Sequence, residues 1–217
     1  MKKQQPVYNA TQSIYDEVLG GRTWWSRLYL NTLWGGVDTW GMARRVFNNI
    51  PANFDGSLLE VPVGTGMFSF REYANRPNAS ITCLDYSDGM LRQMEHRLET
   101  YGIQNVRCVQ GDVGALPFED ESFDAVVSLN GFHAFPNKNA AFHETYRVLK
   151  KGGTFTGSFY IQGENWRTDL VAQVAKYRGF FEPPFETKSS LEQKLRALYR
   201  KVEVDTDEAL VYFHCTK

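Results

Sequence analysis

Residues 58–66 read LLEVPVGTG, a short apolar run that ends in an acid and opens into Gly64-Thr65-Gly66. Four residues rich in Leu and Val read as a buried strand, and the two glycines supply the turn that follows it. The helical pattern then runs from the glycines to about Ala74. A strand, a glycine turn and a helix in series leave the helix N-terminus beside the strand's carboxyl end. Free N–H groups and the positive end of the helix dipole meet there, which suits a polar or anionic ligand.

The next strand is Ser80–Leu84, and Asp85 ends it, 19 positions after Gly66. An acid at that place can accept hydrogen bonds from both hydroxyls of an adenosine ribose; the alternative is that it caps the helix that follows. Ser87 is the N-cap for that helix, whose apolar face is Met90, Leu91, Met94 and Leu98. Asn105–Val109 and Phe123–Leu129 are further strands. A helix carrying Phe142, Tyr146 and Leu149 is expected to stop at Gly152-Gly153 before a fifth strand, Thr154–Phe159. Alternating strands and helices imply right-handed βαβ units and a mainly parallel sheet. Val202–Val204 and Leu210–Phe213 are joined by so short a polar stretch that only an antiparallel hairpin can connect them.

Composition narrows the function. The chain has 217 residues, a length that fits one domain. Lys and Arg total 24 against 25 Asp and Glu, for a net charge of −1, so no basic excess exists to neutralise a nucleic-acid backbone. Three scattered cysteines give neither a disulfide framework nor zinc spacing, and no apolar run is long enough to span a bilayer. A reduced, cytoplasmic protein is expected, with no metal site. Four of the five tryptophans fall in residues 1–50, which read as a helical cap over a core of 55–217, with 160–190 as a substrate-side insertion.

Four stretches stand in order: LLEVPVGTG, then LDYSDGML at 84–91, VQGDVGALPFEDESFDAVVSLNGFHAF at 109–135 and RVLKKGGTF at 147–155. Together they resemble the class I S-adenosylmethionine-dependent methyltransferases, with a close likeness to the ubiquinone/menaquinone-biosynthesis type. The resemblance covers about 55–160. It implies a Rossmann-like, seven-stranded, mainly parallel sheet with the C-terminal antiparallel hairpin, and methyl transfer to a small molecule with S-adenosylhomocysteine as product; the aromatic residues expected to line the pocket favour an apolar or aromatic acceptor. Glu60 and the loop of Val63, Gly64, Thr65 and Gly66 would face the methionine portion of the cofactor. Asp85 would hold the ribose, Tyr86 and Met90 would flank the adenine, Asp112 and Val113 would bind its edge, and Asn130 would line the junction with the acceptor.

Pro62 and Val63 depart from the family's first glycine and its neighbour, and proline removes one N–H donor from the loop. Two other functions stay open: a S-adenosylmethionine-binding protein or partner subunit without catalysis, and a nicotinamide-dependent oxidoreductase. The latter wants a third glycine where Ser69 stands. His133 is the candidate general base, because it follows the fourth strand at the ligand-binding edge of the sheet. Tyr15, Tyr29, Trp34, Trp40, Phe132 and Trp166 are candidate walls of the acceptor pocket.

Overall fold

The computed structural model describes residues 39–177 and 181–217. Seven strands form one sheet in the order β3-β2-β1-β4-β5-β7-β6. They are β1 Ser57–Glu60, β2 Ser80–Asp85, β3 Val106–Gln110, β4 Phe123–Leu129, β5 Leu149–Tyr160, β6 Lys201–Asp207 and β7 Leu210–Thr216. The pairs among β1 to β5 are parallel, while β7 lies antiparallel between β5 and β6. The α/β architecture and the terminal hairpin are those expected.

The described helices are α1 Thr39–Phe47, α2 Phe70–Ala74, α3 Asp88–Tyr101, α4 Lys138–Val148, α5 Trp166–Tyr177 and α6 Lys188–Leu198. Successive residues of a strand face opposite sides of the sheet, and β1 shows this directly. Leu58 packs with Met42, Phe47, Tyr73 and Met94 from α1, α2 and α3. Leu59 packs with Phe142, Phe155, Leu195 and Tyr199 on the side of α4 and α6. A central parallel strand buried on both faces therefore reads as a continuous apolar run. At the edge, β6 alternates exposed Lys201, Glu203, Asp205 and Asp207 with partly buried Val202 and Val204, a charged rim that discourages further strand pairing.

Two expectations are corrected. Of the segment 1–50, expected as a cap, only 39–50 is described, and its helix α1 buries Met42, Ala43, Val46 and Phe47. Arg76 holds its carboxyl end by donating to the carbonyls of Phe47 and Ile50. The helix after the glycine turn begins at Phe70 and not at the glycines, because Gly64 and Gly66 both adopt positive φ and break the helical path. Gly152 and Gly153 lie inside β5 and do not terminate α4, which ends at Val148. A Cβ on Gly153 would lie 2.9 Å from the Asp124 carbonyl, where the register between β4 and β5 shifts.

Ser87 caps α3 as read, its Oγ accepting from the Met90 N–H at 3.3 Å. α3 also fixes the glycine loop, since a Cβ on Gly66 would fall 1.8 Å from Met94 Sδ. Gly64, also at positive φ, faces open space. Gly66→Ala should lower the unfolding free energy by about 2–4 kcal/mol, the left-handed strain plus overpacking, whereas Gly64→Ala should cost only about 1 kcal/mol. Urea titrations of the two variants separate these outcomes; equal losses would mean that Met94 does not set the loop.

Candidate functional site

The strand order reverses between β1 and β4, and a cleft opens at their carboxyl ends. Its floor is the β1 loop, Glu60 to Thr65, joined by Asp85, Tyr86, Met90, Val113 and Asn130. The loops after β1 and β4 are in contact: a Cβ on Gly131 would sit 2.2 Å from Pro62 Cδ. Pro62 costs the loop nothing in satisfied donors. The flanking N–H groups of Val61 and Val63 reach the carbonyls of Val127 and Leu84.

Asp85 is buried at the end of β2, and its two carboxylate oxygens serve different loops. Oδ2 accepts from the Gly64 N–H at 2.8 Å and Oδ1 from the Ser87 N–H at 2.9 Å. Burial raises its pKa to about 6, against the lowering effect of these backbone bonds. The Tyr86 N–H also acts on the carboxylate. Asp85 therefore does more than cap a helix; it holds the glycine loop against the end of β2 and has acceptor capacity beyond these bonds.

Glu60 is 1 % exposed. Ser69 Oγ donates to one of its oxygens at 2.6 Å, and the Tyr73 hydroxyl donates to the other in a short bond. Cys83 Sγ in turn donates to the Tyr73 oxygen at 3.3 Å. Burial dominates here too and lifts the Glu60 carboxyl to about 7, the two hydroxyls opposing it. Ser69 and Tyr73 were not anticipated as site residues. They stand four apart, on one face of the first helical turn after the glycine loop, and that spacing is the signal that could have revealed them. Ser69 makes no capping bond for α2, since its hydroxyl belongs to Glu60.

The other expected residues divide. Val63, Gly64, Thr65, Tyr86, Met90, Val113 and Asn130 line the cleft. Gly66 supports it from behind, against Met94. Asn130 has φ +53 and donates its N–H to the Ser158 carbonyl at 2.7 Å. Asp112 does not line the cleft, although its neighbours Gly111 and Val113 do. Its carboxylate accepts from the Gly114 N–H at 2.8 Å. That loop is fastened from α4, where Arg147 donates to the carbonyls of Leu116 and Phe118.

Phe132 is fully buried and stacks on Phe142, so it is core and not a pocket wall. His133 also turns away from the cleft, its ring 4.1 Å from that of Phe181. Burial first, and Lys138 second, lower its pKa to about 3, so the imidazole is neutral. Trp166 is 73 % exposed at the start of α5. Trp40 does approach the site, edge-on to Phe68, which lines the cleft with Met67, Ala134 and Phe135. Tyr15, Tyr29 and Trp34 lie outside the described residues. Among the described residues no group of His, Cys, Asp and Glu could hold a metal ion, and no helix is long and apolar enough to cross a membrane.

Residues 58–153, which carry the glycine loop, Asp85 and Asn130, match the model of a methyltransferase domain. The chain carries a class I methyltransferase domain. The cofactor that the resemblance implies for such a domain is S-adenosylmethionine. It is 36 % identical over 119 residues to a ubiquinone/menaquinone biosynthesis C-methyltransferase of Bartonella quintana, covering 54 % of this chain and 46 % of that one. It is 34 % identical over 150 residues to the malonyl-[acyl-carrier protein] O-methyltransferase of Methylococcus capsulatus, covering 68 % and 53 %. The chain thus spans about half the length of these curated relatives. A solved structure, a possible histamine N-methyltransferase of Thermotoga maritima, superposes with a TM-score of 0.73 at 17 % identity over 99 % of both chains, which is likeness of fold.

The cleft fits this cofactor's chemistry. Asp85 retains acceptors for hydroxyl donors, Gly64 leaves room for close approach to backbone, and Met90 and Val113 give an apolar bed for a flat ring.

The raised pKa of Glu60 has a consequence for stability. The folded state holds this proton more tightly than the unfolded chain, so its contribution is full below about 4.5 and is lost as pH rises to about 7. The loss is on the order of 3 kcal/mol. Glu60→Gln should therefore gain stability relative to wild type as pH is raised from 5 to 8, read from thermal unfolding of the apoprotein. A difference that stays constant across this range would show that Glu60 is ionised throughout.

Proposed function

We propose that this chain transfers a methyl group from S-adenosylmethionine to a small apolar or aromatic acceptor bound at the carboxyl edge of the sheet. The observation that carries this reading is one continuous cleft with two kinds of wall. Asp85, Glu60 and the glycine loop are its polar lining; Met67, Phe68, Leu129 and Phe135 are apolar lining of the same cleft, which Asn130 also lines. When bound, the cofactor supplies a methyl on a sulfonium, which an acceptor lone pair displaces in line as the carbon–sulfur bond breaks and S-adenosylhomocysteine leaves.

The residues assigned to the cofactor are Glu60, Val63, Gly64, Thr65, Gly66, Asp85, Tyr86, Met90, Val113 and Asn130. Asp112 acts through the turn it makes at Gly114 and not through direct contact. We assign no role as base to His133. Among the described residues the ionisable side chains lining the cleft are Glu60, Asp85 and Tyr86, and none is an imidazole or amine. Catalysis on this reading rests on desolvation and on aligning the acceptor with the sulfonium. Among the described residues, Trp40, edge-on to Phe68, is the tryptophan we assign to the acceptor wall. Three unpaired cysteines, two of them buried, support a reducing, cytoplasmic setting.

Calorimetry should show binding of S-adenosylmethionine and of S-adenosylhomocysteine but not of NADH. Asp85→Asn should weaken S-adenosylmethionine at least about tenfold, since one charge-assisted bond is worth about 1.5–3 kcal/mol. It should also lower the melting temperature, because the same carboxylate holds the Gly64 and Ser87 N–H groups. Binding of NADH without S-adenosylmethionine would overturn the assignment. Cofactor binding with no labelled methyl transfer to any small molecule of a metabolite extract would favour a binding protein without catalysis.

A further inference from the structure

The chain of hydroxyls around Glu60 can hold its carboxyl in either protonation state without moving a heavy atom. With Glu60 ionised, Ser69 and Tyr73 both donate to it and the Cys83 thiol donates to the Tyr73 oxygen. With Glu60 protonated, its O–H can donate to the Tyr73 oxygen while the phenol turns its hydrogen to the Cys83 sulfur. Hydroxyl and thiol hydrogens rotate, and each group both donates and accepts. No basic side chain pairs with Glu60 among the described residues. Just after α2, Arg76 is turned to the carbonyls of Phe47 and Ile50 and to Glu72. From α3, Arg97 donates to the Thr65 carbonyl. β2 presents Cys83 and Asp85, and β3 presents Cys108 behind Cys83.

A buried carboxyl with polar partners but no cation holds its proton more tightly than an exposed one, and an arriving cation favours its release. The burial that raises Glu60 to about 7 expresses this. The carboxyl lines the cofactor cleft, so the cation it lacks is one the ligand carries. We propose that Ser69 and Tyr73 are positioning residues that keep Glu60 poised between its two states, and that binding of cationic S-adenosylmethionine expels the Glu60 proton to solvent. The carboxylate so formed faces the cofactor's positive charge, and Ser69, Tyr73 and Cys83 reorient to donate toward it. This rests on the cofactor assignment above.

The test is calorimetry of S-adenosylmethionine with the full chain at pH 6.5, in two buffers of different ionisation enthalpy, which counts protons released. Wild type should release about half a proton or more beyond what Glu60→Gln releases. Its affinity should rise by up to about tenfold per pH unit below pH 7, with Glu60→Gln showing a shallower slope. Tyr73→Phe removes a donor to the carboxylate, so the pH of maximal proton release should move upward. A purely structural role for Tyr73 would lower the melting temperature and leave that pH in place. A second readout uses wild type alone: infrared difference spectra should lose a protonated-carboxyl band when the cofactor is added. Binding with equal proton release in wild type and Glu60→Gln, or with no loss of the carboxyl band, overturns the inference. Failure of S-adenosylmethionine to bind overturns the cofactor assignment itself.

Discussion

The Asp85 carboxylate ties the site together. The β1 loop must leave its strand, turn through two left-handed glycines and enter α2, and within the loop the Gly66 N–H, donating to the Val63 carbonyl at 3.1 Å, closes the turn. One oxygen of Asp85 takes the Gly64 N–H and the other takes the Ser87 N–H at the head of α3. Two loops from neighbouring parallel strands are thereby fastened through one buried acid. The second side of the β1 loop is fixed by shape, with Pro62 against Gly131 at the end of β4 and Met94 filling the space behind Gly66. Three strands of the sheet thus converge on one cleft, and its floor is set before any ligand enters.

Much of this was legible in the chain. The strand–glycine–helix order, the acid 19 residues on and the terminal hairpin are local patterns, and each follows from backbone geometry that neighbours in sequence decide. Ser87 as a cap is of the same kind. Where the reading departed from the structure, a distant contact had taken over. Gly152 and Gly153 carry a helix-stop signal, but pairing of β5 with β4 draws them into a strand across a register shift. Phe132 and His133 follow β4 and so sit at the ligand edge in sequence terms, yet an aromatic ring is worth more in the core than in a wet cleft. Phe142, Phe155 and Phe159 recruit Phe132, and Phe181 covers His133.

The apolar lining of the cleft was the least legible for a related reason. Apolar pocket walls and apolar core use the same residue types, and only the three-dimensional path tells them apart. Trp166 looks like a wall in sequence and is exposed on α5. Phe68 and Phe135 look like ordinary core and line the cleft. The cofactor end escapes this ambiguity because its chemistry requires acids and glycines at fixed offsets, types that a core does not otherwise recruit.

The two buried acids also show how charge is distributed between the fold and its site. Surface and half-buried cations are matched locally: Arg45 with Asp205, Arg147 with Glu144 and Asp120, Lys150 with Asp124, Lys194 with Glu186. Glu60 and Asp85 have no such partner among the described residues, and burial raises both. Leaving them unmatched costs stability near neutral pH, a cost the packed faces on either side of the sheet must offset. A ligand that supplies a cation to Glu60 and hydroxyl donors to Asp85 relieves that cost and binds only the folded chain. It therefore stabilises the protein in proportion to the logarithm of its concentration over its dissociation constant. On the proposed reading, the deficit of positive charge among the described residues of the cleft is the electrostatic complement of a cationic nucleoside.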